Sequence, residues 1–269
     1  MTASTNTPAP AQEFPSSFFA DLAPWKTTFL RGVPIIMYHK LGPRPRGLRL
    51  KANVLPNRWF VRQMTELSRE GFCSVSVGDF RTPGGVVLTF DDGSLTVMRH
   101  GLPVLERFGM RACQYLVAGQ IGGHNAWDTS WGEARDELMG EDHVREWLSK
   151  GHEIGSHTLT HAHLAKISVE DLRREIIESK TRLEDRFQVP IRHFCYPYGN
   201  CNQRVRDTVE EAGYETAVTT ETGISSATSD PFLLPRVASR HPTRNFRSVL
   251  YGLLGIPLKP KTKAKRQKT

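Results

Sequence analysis

The 269-residue sequence contains no uninterrupted apolar run that approaches the roughly eighteen residues of a membrane-spanning helix. Its N-terminus, Met1-Thr2-Ala3-Ser4-Thr5-Asn6, has neither the basic segment nor the apolar segment of a secretory signal as written. These two absences predict a cytoplasmic protein with no membrane span.

Cysteine is scarce, and the sequence has no Cys-x-x-Cys spacing. In a chain this long, four cysteines predict reduced, mostly buried thiols, although a disulfide between Cys195 and Cys201 is conceivable. No Gly-x-Gly-x-x-Gly follows a predicted strand, which argues against a dinucleotide-binding fold. The His-Glu-x-x-His pattern of many zinc hydrolases is also absent.

The positive charge of the chain is concentrated at its C-terminal end. Residues 259–269 contain five lysines, one arginine and no acid, and they leave only +2 of the net charge of +8 on the rest of the chain. Such a tail is typically solvated, and no aromatic or motif context accompanies it. We therefore expect no nucleic-acid partner. The sequence says nothing about oligomeric state.

A short apolar stretch ends in two adjacent carboxylates. Val86-Val87-Leu88-Thr89-Phe90 is rich in β-branched residues and is bounded by glycines, as expected of a buried strand, and Asp91, Asp92 and Gly93 follow it. Neighbouring side chains on a strand point to opposite faces, so both carboxylates reach one site only if the chain bends, which Gly93 permits. Two close carboxylates repel each other, and a bound cation removes that repulsion.

Two histidines provide further metal-ligand candidates. His157 and His161 follow a second apolar stretch, Glu153-Ile154-Gly155, and their spacing of four predicts that they lie on one face of a helical turn. One carboxylate with two imidazoles is a common ligand set for a metal that keeps an open position. The spare aspartate of the pair is the natural candidate for a general base.

Apolar segments alternate with helical patterns along the chain, which indicates parallel βαβ units. We predict an irregular N-terminal arm (1–32), one catalytic domain (33–258) and a basic disordered tail (259–269). Predicted strands cover residues 33–38, 72–77, 86–90, 112–117, 153–155, 193–196, 216–219 and 232–237. We predict that Asn57, Ser168 and Asn202 cap helices, the last of which runs to Ala212. Further helices are predicted over Leu95–Phe108, in the stretch that ends at Lys150 and near Asn245–Leu254.

Three motifs resemble those of the polysaccharide deacetylase family, the NodB-homology proteins of carbohydrate esterase family 4. Thr89-Phe90-Asp91-Asp92-Gly93 is similar to the first motif and His157-Thr158-Leu159-Thr160-His161 to the second, while Tyr196-Pro197-Tyr198-Gly199 resembles the third. The resemblance implies an α/β fold, a distorted barrel of seven or eight β/α units in one domain. An open doubly wound sheet is the alternative.

The resemblance also implies roles for these residues. Asp92, His157 and His161 would ligate a divalent metal, most simply Zn²⁺ with Co²⁺ or Ni²⁺ as alternatives, and Asp91 would be the general base. The backbone amide of Tyr198 would hold the oxyanion, and Pro197 would fix the local backbone beside the substrate. His163 is an alternative ligand.

Two family features are displaced in this chain. The usual C-terminal Leu-x-His motif is absent, but Met37-Tyr38-His39 ends the first predicted strand and resembles the permuted arrangement of poly-N-acetylglucosamine deacetylases, which makes His39 the candidate general acid. The third motif lacks the family's arginine. Arg236, at a late strand end, is the candidate replacement that orients the catalytic aspartate.

The resemblance implies a hydrolase that removes N-acetyl groups from an N-acetylated sugar by cleaving a linear amide C–N bond. Trp127, in a Trp-Asp loop, is a candidate for stacking on that sugar. Two alternatives remain open at this point: hydrolysis of a small cyclic amide or ureide, and carbohydrate binding without catalysis.

Overall fold

The computed structural model describes residues 14–16, 18–45 and 48–240. The strands in these ranges are β1 (Ile35–Tyr38), β2 (Lys40–Leu41), β3 (Val54–Leu55), β4 (Cys73–Ser74), β5 (Gly85–Phe90), β6 (Cys113–Leu116), β7 (Glu153–Ser156), β8 (His193–Cys195), β9 (Thr216–Thr222) and β10 (Leu234–Ala238). The α-helices are α1 (Lys26–Phe29), α2 (Asn57–Arg69), α3 (Leu95–His100), α4 (Leu102–Phe108), α5 (Ala126–Thr129), α6 (Glu141–Ser149), α7 (Val169–Arg173), α8 (Ser179–Phe187) and α9 (Gln203–Glu211).

Seven parallel strands close into a barrel. The hydrogen-bonded order is β1-β10-β9-β8-β7-β6-β5, and β5 pairs in turn with β1 through the register Ile36 opposite Leu88. The short strand β4 extends the N-terminal half of β5, and β2 and β3 form a separate pair. The predicted distorted (β/α) barrel is therefore confirmed. The open doubly wound alternative is wrong, because the pairing of β1 with β5 leaves no open edge between them.

Side chains alternate between the inside of the barrel and the helical layer around it. Val87 belongs to a small buried cluster formed by strand residues that include Ile35, Tyr115 and Leu234. Its neighbours Val86 and Leu88 belong to the larger cluster that the helices cover. Since every second residue of a strand faces the same side, this parity decides which side chains project into the barrel where the strands end.

Several helices differ from the prediction at their ends. Asn57 does not cap α2; it is the first helical residue, and Pro56 at the N-cap makes no side-chain capping bond. The continuous helix expected over Leu95–Phe108 is broken at Gly101 into α3 and α4. Between residue 128 and α6 the chain is mostly loop, so the expected helical stretch is limited to the nine residues before Lys150.

The helix that begins after Ser168 confirms its predicted cap, because the Ser168 hydroxyl accepts a hydrogen bond from the Asp171 amide. However, this helix is not uniform. A π turn, Arg174–Glu178, separates α7 from α8. Single π turns within helices occur frequently at functional sites. By contrast, α9 is capped by Asn202 as predicted, through the amide of Val205.

The strand expected over residues 72–77 is only two residues long. A 3₁₀ turn, Val77–Asp79, ends it early, and the Ser76 hydroxyl accepts from the Gly78 amide at the start of that turn. The strands that hold the candidate site residues, in contrast, are present where the sequence predicts them, with β10 starting two residues later than expected.

The described part of the N-terminal arm packs against the barrel. Phe19, Trp25 and Phe29 are fully buried, and the amide of Phe19 bonds to the carbonyl of Ala238 at the end of β10. The first thirteen residues, the helix predicted near residues 245–254, His241 and the basic tail lie outside the described residues.

All four cysteines are free, and no disulfide joins Cys195 to Cys201. Cys113 and Cys195 are buried as predicted, whereas Cys73 is exposed and Cys201 is partly exposed. Among the described helices, none combines the length and the apolarity that crossing a bilayer requires. The cytoplasmic location stays a prediction.

Candidate active site and metal centre

The residues singled out in the sequence meet at the carboxyl ends of the barrel strands. Asp91 and Asp92 follow β5, His157 follows β7, and His39 follows β1. Parallel strands end on the same face of a barrel, and that face holds the active site in (β/α) barrel enzymes. The fold therefore concentrates the chemically active side chains at one end.

The aspartate pair reaches one site because the chain turns sharply at its second member. Asp91 has the same strand parity as Val87 and therefore projects toward the barrel interior. Asp92 has φ 73° and Gly93 has φ 77°, so the bend begins one residue earlier than the glycine that the sequence suggested. Both carboxylates are buried, with 3% and 5% exposure.

The two histidines do not lie on a helical turn, and this part of the prediction is wrong. The segment after β7 is a loop in which Thr158 (φ 68°) and His161 (φ 67°) are left-handed. The loop is closed by two local bonds, from the His161 amide to the Thr158 hydroxyl (2.9 Å) and from the Thr158 amide to the Ser156 hydroxyl (3.2 Å). The tight loop, instead of a helix, brings the two imidazoles to the same place.

Three donor atoms converge as a metal site requires. Asp92 Oδ1 lies 3.6 Å from His157 Nε2 and 3.4 Å from His161 Nε2. Ligands held about 2.1 Å from one ion at tetrahedral angles are about 3.4 Å apart, so the spacing fits a divalent cation. Burial alone would raise the pKa of Asp92, but the adjacent imidazoles of His157 and His161 hold this pKa well below its ordinary value. The site therefore keeps an anionic ligand beside two nitrogen donors.

The two imidazoles are oriented in different ways. His157 Nδ1 lies 2.8 Å from the carbonyl oxygen of Cys195, an outer contact that directs Nε2 toward Asp92. His161 Nδ1 is buried and has no hydrogen-bond partner among the described residues. Instead, the His161 ring stacks on Trp127 (centroids 4.5 Å apart, 18°) and meets Tyr198 edge-on (4.6 Å, 77°).

This packing limits the part predicted for Trp127. One face of the indole is covered by His161, so only the rest of the ring is available to a sugar in the cleft that Trp127 lines. His163 stacks on Tyr198 (3.9 Å, 14°) and does not belong to the ligand group formed by Asp92, His157 and His161. The alternative role of His163 as a ligand therefore has no geometric support.

Arg236 supplies the guanidinium that the third motif lacks. It donates to both oxygens of Asp91 at 2.8 Å each, to the carbonyl of Thr219 (2.8 Å) and to the hydroxyl of Thr89 (3.1 Å). Arg236 also lies 3.3 Å from the sulfur of Cys195, the residue that stands where the family pattern has arginine. Burial favours a protonated Asp91, but Arg236 outweighs it and lowers the pKa of Asp91 below the ordinary value.

His39 lies on the cleft side of Asp91. Its Nε2 is 3.9 Å from Asp91 Oδ2, and its side chain is 21% exposed. Burial lowers the pKa of His39 below its ordinary value, although Asp91 and Asp92 oppose this shift. The closed barrel explains why a residue from the first strand reaches a site built mainly from later strands: β1 pairs with β10 on one side and with β5 on the other.

The third motif forms a tight turn at the rim. Tyr198 (φ 60°) and Gly199 (φ 66°) are both left-handed, and a Cβ on Gly199 would lie 1.9 Å from the Thr220 hydroxyl, so this position requires glycine. Pro197 is buried and is not among the residues that line the cleft, so the structure gives its predicted contact with substrate no support. Its contribution is limited to the backbone of the turn.

An open cleft of about 480 Å³ exposes these groups to solvent. Its lining includes residues that the sequence did not identify as part of a site: Leu50, Asn53, Asp128, Thr220, Thr222 and Arg240. Leu50 and Asn53 come from a segment that reads only as a loop, and nothing local marks them. Asp128 belongs to the Trp-Asp loop, and burial together with the nearby charge of Asp92 raises its pKa.

The comparison with known protein families agrees with this geometry. The polysaccharide deacetylase family model matches residues 81–217, which include the first two motifs and the third. The chain belongs to the polysaccharide deacetylase family. The predicted family and enzyme class, a hydrolase acting on carbon–nitrogen bonds, are thereby confirmed.

Relatives of this polysaccharide deacetylase are known in sequence and in structure. The Bacillus subtilis protein YxkH is 27% identical over 227 residues, 81% of this chain and 75% of YxkH. The poly-beta-1,6-N-acetyl-D-glucosamine N-deacetylase of Staphylococcus aureus is 22% identical over 155 residues, 56% of this chain and 53% of that enzyme. The Streptococcus pyogenes deacetylase PplD, solved with acetate, has the same fold, with a TM-score of 0.68 at 23% identity over 81% of this chain and 96% of PplD.

Proposed function

We propose that this polysaccharide deacetylase removes N-acetyl groups from an N-acetylated sugar in a reaction that depends on a divalent metal. The observation that carries the proposal is the convergence of three donor atoms beside Asp91 and His39 in one open cleft, with Arg236 holding Asp91 from the barrel interior. A carbohydrate-binding protein without catalysis would need neither an ion site nor a second buried carboxylate next to it.

Asp92, His157 and His161 would hold the metal, for which Zn²⁺ is our first candidate and Co²⁺ or Ni²⁺ are alternatives. One carboxylate oxygen and two imidazole nitrogens suit these ions and leave a position open. A bound divalent ion polarises a carbonyl group and lowers the pKa of a water molecule toward about 7. The His157 Nδ1–Cys195 carbonyl contact would leave Nε2 of a neutral His157 ring free for the ion and directs this atom toward the site.

Asp91 would act as the general base. Arg236 keeps its carboxylate ionised at neutral pH, so the form that accepts a proton is the populated form. The bidentate contact also fixes the plane of the carboxylate, because a guanidinium and a carboxylate match in geometry as two parallel hydrogen bonds. Asp91 therefore receives the proton of the attacking water from a set direction.

His39 would act as the general acid that protonates the leaving amine. Its Nε2 lies 3.9 Å from Asp91, and both residues line the cleft in which the sugar nitrogen would depart. An imidazole can donate a proton near neutral pH, and the carboxylates of Asp91 and Asp92 favour the protonated form of His39, although burial outweighs them and lowers its pKa. The backbone amide of Tyr198, in the left-handed turn at the rim, is our candidate for holding the oxyanion.

The proposed substrate is a glycan with N-acetylglucosamine-like units, in polysaccharide, oligosaccharide or lipid-linked form. The staphylococcal relative is named for removing acetyl groups from such a polymer, which supports this substrate class. The cleft also offers hydrogen-bonding groups, such as Asp128 and Thr220, that a sugar could contact.

Acetate release from N-acetylglucosamine oligomers tests the proposal. The wild-type protein loaded with Zn²⁺ should release acetate, whereas Asp91→Asn and His157→Ala should release almost none. Turnover of a cyclic amide or ureide without acetate from any oligomer would favour the cyclic-amide alternative. Metal binding without turnover of either substrate class would favour a protein that only binds carbohydrate.

A further inference from the structure

We propose that Glu175 is a positioning residue that sets the metal affinity of the site by holding the backbone between His157 and His161. Glu175 lies on the π turn Arg174–Glu178, well outside the three sequence motifs. The inference rests on the metal centre proposed above and extends it to a residue that touches neither the ion nor the substrate.

Among the described residues, the hydrogen bonds of the Glu175 side chain all go to the loop between His157 and His161. Its carboxylate is buried, with 3% of the residue exposed. Oε2 accepts hydrogen bonds from the amides of Leu159 (3.0 Å) and Thr160 (2.9 Å), and Oε1 accepts from the Thr160 hydroxyl (2.7 Å). Every donor lies between the two candidate ligands. A single carboxylate therefore fixes the backbone segment that joins His157 to His161.

The loop requires stabilising contacts of this kind because its backbone conformation is unfavourable. Thr158 is β-branched and adopts φ 68°, and His161 adopts φ 67°. Left-handed conformations of residues other than glycine cost free energy and persist only where surrounding contacts enforce them. Hydrogen bonds to an ionised carboxylate are about twice as strong as neutral ones, so Glu175 is well suited to enforce this shape.

The position of His161 depends on the Glu175 hydrogen bonds more than the position of His157 does. The ring of His157 is oriented by the Cys195 carbonyl, an anchor on a different strand. The ring of His161 has no hydrogen bond at Nδ1 within the described part of the chain, so aromatic packing and its own backbone decide where Nε2 points. Releasing Leu159 and Thr160 would let the His161 backbone move, and Nε2 would move with it.

The π turn binds the same loop at a second point. The Ser179 hydroxyl, one residue after the turn, lies 2.8 Å from the hydroxyl of Ser156, which accepts from the Thr158 amide. Ser179 in turn donates to the carbonyl of Ile176 within the turn. The turn is therefore connected to the start of the loop through Ser156 and to its middle through Glu175.

Metal affinity is the measurement that tests this role, because it requires no substrate. We would titrate Zn²⁺ into the full chain in competition with a chromophoric chelator. Glu175→Gln keeps the size of the side chain but removes its charge and one acceptor, and it should weaken Zn²⁺ binding about 10- to 100-fold, as loss of an outer contact typically does. Turnover lost at limiting Zn²⁺ should return when Zn²⁺ is raised to saturation.

Two further variants separate positioning from general instability. Thr160→Val removes only the hydroxyl bond and should weaken Zn²⁺ binding by less than Glu175→Gln, whereas Thr160→Ser keeps the hydroxyl and should bind like the wild type. Glu178→Gln is the matched control, since Glu178 lies in the same π turn but pairs with Arg182 at the surface. The unfolding midpoint of each metal-free variant shows whether the fold is intact.

Wild-type affinity in Glu175→Gln would overturn the inference, as would equal weakening in Glu178→Gln. If Glu175→Gln does not fold, the difference between Thr160→Val and Thr160→Ser decides the question, and no difference would overturn the inference. Failure of the wild-type chain itself to bind Zn²⁺ would instead overturn the proposed metal centre.

Discussion

Arg236 and Asp91 form a bidentate ion pair in the barrel interior, with both nitrogen–oxygen distances at 2.8 Å. The two residues come from strands that are not adjacent in the barrel: β10 and β5 are separated by β1. Both point inward because each shares the parity of an interior residue, Leu234 in one case and Val87 in the other. A guanidinium from the last strand thus takes the place that the family pattern assigns to the third motif.

Removing this arginine should affect both stability and the pH dependence of turnover. Arg236→Met leaves a buried carboxylate without its partner, which costs about 3–5 kcal/mol of unfolding free energy in comparable cases. Without the guanidinium, burial raises the pKa of Asp91, so the acidic limb of the kcat/KM profile should move to higher pH. Urea unfolding and a pH–rate profile measure the two effects.

The double variant Arg236→Met/Asp91→Asn provides the control for this prediction. It removes the unpaired charge and should recover much of the lost stability while remaining inactive. An unchanged acidic limb in Arg236→Met would contradict the role assigned to the ion pair.

The stability of the fold should depend on a small residue at position 195, because Arg236 occupies the space beside it. Cys195 is fully buried, and its sulfur is 3.3 Å from Arg236. Cys195→Arg restores the family's residue but places a second guanidinium in the same closed space, so it should lower the unfolding free energy by about 3–5 kcal/mol, as a buried unpaired charge does. The double variant Cys195→Arg/Arg236→Cys should be more stable than Cys195→Arg, and equal stability of the two would refute the idea of a relocated arginine.

Substitutions of Asp91 and His161 should affect metal content differently, because Asp91 is the proposed base and His161 is a proposed metal ligand. Asp91→Asn removes the base but leaves the three ligands, so the variant should retain its metal and lose nearly all turnover. His161→Ala removes a ligand and should lose both. Elemental analysis of the two purified proteins checks this, and equal metal loss in both would show that base and ligand have been confused.

His39 should matter only where the leaving group needs a proton. His39→Ala should reduce kcat on an N-acetylated sugar about 10²- to 10⁴-fold, the usual contribution of general acid catalysis, with metal content unchanged. An aryl acetate releases a phenolate that leaves without protonation, so hydrolysis of such an ester should fall far less. An equal fall on both substrates would assign His39 a structural role.

His193 should make the fold sensitive to acid at a point away from the site. Burial, together with the positive charges of Arg192 and Lys180, lowers the pKa of His193 to about 4, whereas an unfolded chain has a value of about 6.5. Between these values the unfolded state binds the proton and the folded state does not, so stability is lost as the pH falls from about 6.5 toward 4.

Replacing His193 tests whether this histidine causes the loss of stability as the pH falls. His193→Gln should reduce the slope of unfolding free energy against pH in that window by up to about 1.4 kcal/mol per pH unit. Burial also lowers the pKa of His152 to about 4. His152 should therefore preserve part of the dependence of unfolding free energy on pH in the His193→Gln variant. Urea unfolding at several pH values measures it, and an unchanged slope in His193→Gln would contradict the prediction.

The sequence was sufficient for the strand–helix alternation and for the motifs because both are local patterns, whereas the closed barrel was implied only by the resemblance that those motifs carry. A strand such as Val86–Phe90 is recognisable from its own residues, and parallel strand–helix alternation leaves few topologies. It also placed Asp91, Asp92, His157 and His39 at strand ends, although their roles stay predictions. The histidine spacing was misjudged because a four-residue separation fits a helix and a left-handed loop equally well.

Tertiary structure alone decided how these groups are held. The sequence predicted Arg236 as a partner of Asp91, but only the fold shows that its guanidinium, 145 residues away, reaches both carboxylate oxygens. Glu175 had only a faint signal, an acidic residue three positions after Leu172 on an otherwise apolar helix face. The physical reason is that a side chain's own neighbours in sequence determine its secondary structure, while its partners across a closed barrel depend on which strands pair, and pairing is a property of the whole fold.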